Sequence, residues 1–175
     1  MGERVSYSVP VEVHALPPKG RVLRIVADDA DRATLASELG LHGIDTLTAE
    51  LTLAPHGGDG VRVDGHIAAD VLQACVVTLE PVPARVETAV ETLFAPPDSA
   101  LLGGELPVEI EVEMDSADPA EPFDGRTIDV GAVIAEFLGL ALDPYPRLAD
   151  AELPAEARDG GASPFAALAV LKTDG

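Results

Sequence analysis

Along the first hundred positions, apolar and polar residues alternate mainly with a period of two, the pattern of half-buried strands. Tyr7, Val9, Val11 and Val13 alternate with polar neighbours. The turn-forming run Pro17-Pro18-Lys19-Gly20 then leads to a second strand over Arg21 to Val26. Two strands therefore open the expected fold. Leu47, Ala49, Leu51 and Leu53 interleave with Thr48, Glu50 and Thr52. The connection His56-Gly57-Gly58-Asp59-Gly60 joins this run to Val61, Val63, Gly65, Ile67, Ala69 and Val71, which predicts a long hairpin. Strand parity carries its second arm on to Gln73 and Cys75, on the face of Val63 and Ile67. Pro81 and Pro83 are expected to break the ladder, because proline has no N–H to donate, and Arg85 to Phe94 to resume it.

Elsewhere the period changes to that of a helix. Asp28 or Asp29 can cap a helix over Ala30 to Leu39, with Leu35, Ala36 and Leu39 on one face and Gly40 as its stop. Asp129 or Thr127 caps the longest helix, in which Val130, Val133, Ile134, Phe137, Leu138 and Ala141 follow helical spacing until Asp143-Pro144. Ser163-Pro164 starts a short helical tail with Phe165, Leu168 and Leu171 on one side. These elements predict an α+β fold, with a mainly antiparallel sheet packed by two helices and a partly barrel-like closure left open. Residues 1–143 form one domain in this reading, 144–161 an exposed linker and 162–175 the C-terminal tail.

Composition permits such a core without staples. The chain has 175 residues, 47% of them hydrophobic, but only 3% aromatic, so the interior must be built from Val, Leu, Ile and Ala. A single cysteine cannot close an internal disulfide, and Met1-Gly2-Glu3-Arg4 lacks the apolar run of a signal peptide, which points to the cytoplasm. No apolar run reaches the roughly 18–20 residues that span a bilayer. Charge is the stronger constraint. A formal net charge of -20 repels phosphate backbones and anionic lipid and attracts basic partners. Asp98 to Asp124 contains no Lys or Arg, and within it Glu109, Glu111 and Glu113 recur about every 7 Å along one face of an expected strand, Leu106 to Met114.

Catalytic patterns are missing. His14, His42, His56 and His66 fall in different elements, with no His-x-x-x-His or Cys-x-x-Cys spacing. No catalytic residue, metal ligand or cofactor is therefore assigned. Cys75 reads as a buried, small apolar residue and Asp129 as a helix cap. Gly57, Gly58 and Gly60 read as turn glycines, since no Lys-Ser or Lys-Thr of a phosphate loop follows them.

Four blocks carry a resemblance: Gln73 to Pro83, with Cys75, Leu79 and Pro81; Thr127 to Gly131; Leu140 to Arg147; and Ser163 to Lys172. In this order they resemble the YceD family, annotated for large-subunit ribosomal RNA accumulation, and its alphaproteobacterial branch in particular. Many relatives carry a second cysteine three residues after the first, where this chain has Thr78, so no thiol pair can form. The resemblance implies a non-enzymatic, cytoplasmic, bacterial ribosome-biogenesis factor that supports 23S rRNA processing or accumulation. Its expected partner is a basic large-subunit ribosomal protein or a pre-large-subunit particle, with weak or no binding to naked RNA and none to membrane. Candidate binding residues are Gln73, Thr78, Leu79, Glu80 and Pro81 at the turn, Glu109, Glu111 and Glu113 on the acidic strand, and Phe165, Leu168 and Leu171 on the tail. The alternatives are an RNA-processing enzyme with dispersed carboxylates and an acidic structural domain with no RNA-linked role.

Overall fold

The computed structural model describes residues 7–102 and 120–152. Seven strands and two helices follow one another as β1 (Pro10–Glu12), β2 (Arg21–Val26), α1 (Asp29–Leu39), β3 (Gly43–His56), β4 (Gly60–Ala74), β5 (Pro81–Ala95), β6 (Glu121–Pro122), β7 (Thr127–Asp129) and α2 (Val130–Ala141). The expected strand Leu106 to Met114 with Glu109, Glu111 and Glu113, and the expected tail with Phe165, Leu168 and Leu171, lie outside the described residues.

The fold is α+β and mostly antiparallel. β2, β3, β4 and β5 form a meander in that order, and β6 adds a short parallel pairing, Phe94 with Glu121 and Ala95 with Pro122. No closed barrel forms among the described residues, because β2 has a neighbour on one side only and β6 covers only the last two residues of β5. Gly57 and Gly58, both at positive φ, close the β3–β4 hairpin where their lack of a side chain makes such backbone inexpensive. One sheet face is apolar: Leu47, Leu51, Leu53, Val63, Ile67 and Val71 are at most 2% exposed. α1 and α2 contribute Leu35, Ile134 and Leu138 to the same core.

The outer sheet face is largely polar, and its arginines among the described residues are paired. Arg24 pairs with Glu50 at 2.6 Å, Arg62 with Asp64 at 2.9 Å and with Glu91, and Arg85 with Asp70 and Glu87 at 3.0 Å each. These are cross-strand or same-face neighbours, placed by the register Arg24–Glu50–His66 and Asp70–Arg85. The Thr46 hydroxyl and Arg85 together hold Asp70 below the ordinary carboxylate range.

Both helices end as their sequences require. Asp28 caps α1 in a reciprocal box with Asp31, and Gly40 stops it at φ +65°. Asp129 caps α2 by accepting from Gly131 N at 2.9 Å and Ala132 N at 3.4 Å. The same carboxylate also accepts from Val9 N at 2.8 Å and the Ser8 hydroxyl at 2.7 Å, which ties the N-terminal strand to the helix start. Gly131 allows that approach, since a Cβ there would sit 2.8 Å from Tyr7 O and Ser8 Cα.

Two expectations are corrected. The first strand is only three residues long, and Val13–Ala15 turns as a 3-10 segment; the strand pairs with β7. Burying Val11 against Ile128 beneath α2 outweighs the alternation that extended to Val13. Pro81 and Pro83 do not break the ladder, for they pair with Ala74 and Leu72. Cys75 N donates to Glu80 O at 2.8 Å, so even-numbered residues here turn their backbone groups to β4, and the proline nitrogens face an edge that is open among the described residues. Of the expected linker 144–161, residues 144–152 are described, with Pro146 and Ala151 buried and most of the others exposed.

Candidate functional site at the β4–β5 hairpin end

The hairpin end is held by three separate elements. Leu79 N donates to Cys75 O at 2.9 Å, which closes a five-residue turn, and Cys75 N to Glu80 O closes its neck. The segment after α2 lies alongside: Val76 N donates to Pro146 O at 2.9 Å, and Gln73 Nε2 donates to Asp143 O at 2.8 Å. From the α1–β3 connection, His42 places Nε2 3.0 Å from Leu79 O, while its backbone N donates to Leu72 O. A loop with so many backbone anchors is fixed in shape.

That shape is locally strained and outwardly apolar. Leu79 is the only residue other than glycine at positive φ among the described residues, at +62°. A left-handed backbone is unfavourable for an L-residue by about 1–2 kcal/mol. Yet its side chain is 72% exposed, so little packing returns that energy. Val76 and Tyr145 are also exposed, at 51% and 77%.

Cys75 lies beneath this turn, fully buried as strand parity requires. The Thr78 side chain, first, and then the backbone amide of Leu148 hydrogen-bond its sulfur. Together with the amides of Thr78 and Val77 they outweigh burial and bring the thiol from its ordinary 9.0 down to about 6. Thr78 therefore supports the sulfur from the position where the family resemblance places a second cysteine. Among the described residues no group of three or more His, Cys, Asp or Glu is placed to hold a metal ion.

Of the turn candidates, Thr78, Leu79, Glu80 and Pro81 are exposed and contiguous. Gln73 is buried at 6% exposure, so its side chain anchors the neighbouring segment rather than facing outward. Its Oε1 is buried with no hydrogen-bond partner among the described residues. Sequence reasoning missed His42, Asp143, Tyr145, Pro146 and Leu148 as parts of this end. Two motif blocks, Gln73 to Pro83 and Leu140 to Arg147, were the available signal, and contact between them is a tertiary fact.

The family model described as large ribosomal RNA subunit accumulation protein YceD matches residues 63–172. The chain belongs to the YceD family. The match runs from near the start of β4 through the hairpin end, α2 and the segment that packs beside Cys75, so the YceD region contains the site just described except for His42. The YceD family name implies a role in the accumulation of large-subunit ribosomal RNA. No curated protein and no solved structure matches the chain. No helix among the described residues is long and apolar enough to cross a membrane.

Proposed function

We propose that this YceD-family chain supports large-subunit rRNA processing or accumulation in the bacterial cytoplasm as a binding factor, not as an enzyme. Its partner is a basic large-subunit ribosomal protein or a pre-large-subunit particle. The observation that carries this reading is the electrostatic character of the sheet face. Arg24, Arg62 and Arg85 are each already paired with carboxylates there, in a chain of net charge -20. A phosphate backbone needs unpaired cations in a row, and this face instead favours a cationic protein surface. The Glu109, Glu111 and Glu113 run adds closely spaced negative charge in sequence. Exposed charges of this kind act mainly by steering encounter.

The test is a pull-down from cell extract at low and at high salt, with and without nuclease. A basic ribosomal protein retained after nuclease, or a pre-large-subunit particle lost with it, supports the reading when salt weakens capture. Cleavage of precursor rRNA by the purified protein, abolished by an Asp or Glu substitution, would establish the enzymatic alternative. Capture of no ribosomal component would leave an acidic structural domain.

A further inference from the structure

We propose that the hairpin end is a docking surface for a protein segment that carries large apolar side chains flanked by Lys or Arg. This rests on the reading that the chain acts by binding, but not on which particle it serves. Three exposed apolar side chains, Val76, Leu79 and Tyr145, come from two segments whose backbones are joined by the bond from Val76 N to Pro146 O. Tyr145 sits between that tie and the one from Gln73 to Asp143 O, so its backbone is fixed although its ring is exposed. Leu79 is held in left-handed backbone by the bonds to Cys75 O and His42. Strain retained in a structure needs surroundings that over-determine it, and it concentrates at clamps and contact sites. Here the surroundings spend four hydrogen bonds from three elements on presenting an apolar side chain to solvent.

Charge selects the occupant. Glu80 follows Leu79 directly, Asp143 lies beside Tyr145 and caps it by accepting from Tyr145 N at 2.9 Å, and Asp150 and Glu152 are exposed on the segment that continues from it. The guanidinium of Arg147 is turned to Ala151 O at 2.7 Å. An apolar centre with an acidic rim fits a basic, apolar segment, with the apolar contacts holding the complex and the charges choosing it.

The probes are fluorescent peptides of about 14 residues, long enough to form a short helix. One is a Leu–Lys amphipathic peptide, the second keeps its Leu positions with Glu in place of Lys, and the third keeps Lys with Ser in place of Leu. The full chain should bind the Leu–Lys peptide at least about tenfold more tightly than either control, which corresponds to about 1.4 kcal/mol. Leu79→Ser and Tyr145→Ser should each remove most of that preference without lowering the melting temperature. Equal binding of the Ser–Lys peptide, or unchanged binding to both variants, overturns the proposal. So does a dimer that Leu79→Ser dissociates, which makes a second copy the occupant. Tighter peptide binding by full chain bearing Phe165→Ser and Leu168→Ser overturns it in favour of the chain's own C-terminal segment, and tight single-stranded RNA binding lost in Tyr145→Ser overturns it in favour of RNA. A peptide result as expected, with no ribosomal component in the pull-down, upholds the surface and overturns the ribosomal role.

Discussion

Replacing Leu79 by Gly and, separately, by Ala divides backbone strain from side-chain contact at the hairpin end. Both variants lose the same exposed side chain, so any difference between them comes from the backbone at φ +62°. Left-handed backbone is unfavourable for Ala by about 1–2 kcal/mol and not for Gly. Gly offsets part of this by loosening the unfolded chain, an effect of about 0.4–1 kcal/mol. The Gly variant should therefore be more stable than the Ala variant by about 0.5–1 kcal/mol, the reverse of their order in a helix or strand. For a chain of this length that is a difference of about 1–4 °C in Tm. Thermal unfolding followed by circular dichroism measures it, and the Leu–Lys peptide titration runs on the same samples. Both variants should lose peptide binding equally. An Ala variant as stable as the Gly variant would show that the turn relaxes and stores no strain, and full peptide binding by either would remove Leu79 from the contact surface.

Four further outcomes are expected. Asp129→Ala should lower stability by about 2–4 kcal/mol in urea unfolding, because it removes a helix cap and leaves the partly buried Val9 amide unpaired. Tyr7→Phe should raise stability by about 1 kcal/mol, since the Tyr7 hydroxyl is buried with no hydrogen-bond partner among the described residues and burial, then Asp31, Asp129 and Asp28, push its pKa up to about 12; a loss above that size would reveal a bound water. The Cys75 thiol titrates near 6 when folded and near 9.0 when unfolded, so its stabilising contribution is full above pH 9 and fades as pH falls to about 6. The Tm advantage of the native chain over Cys75→Ala should shrink across that window, and a constant gap would refute the lowered thiol pKa. Changing Glu109, Glu111 and Glu113 together to Gln should slow association with a basic partner at low salt mainly through the on-rate, as stopped-flow mixing would show.

The strand and helix elements were legible wherever one local rule acted alone. The alternation from Leu47 to Val71, with glycines at Gly57 and Gly58, determined the long hairpin, and its parity placed Cys75 on the buried face. Asp28, Gly40 and Asp129 marked helix ends because capping is a contact between near neighbours in sequence. Even the three alternating valines of the N-terminal run were read correctly as apolar and wrongly as one long strand. Periodicity reports which side chains seek burial, but not the partner that buries them.

Tertiary structure decided the rest. β1 pairs with a strand more than a hundred residues away, and Pro81 and Pro83 are tolerated because β5 is an edge at that end among the described residues, a fact no local window contains. The candidate site depends on the same distinction. The sequence marked Cys75, Leu79 and Pro81, but His42, Tyr145 and Leu148 joined them only through hydrogen bonds and packing between residues 30–73 positions apart. Leu148 adds to the lowering of the thiol pKa that Thr78 begins locally, and His42 adds to the local bond from Leu79 N to Cys75 O that holds the left-handed turn. Residue type and spacing determine what a side chain can do, and the long-range packing of α2 and the segment after it against the hairpin determines which of those capacities meet in one place.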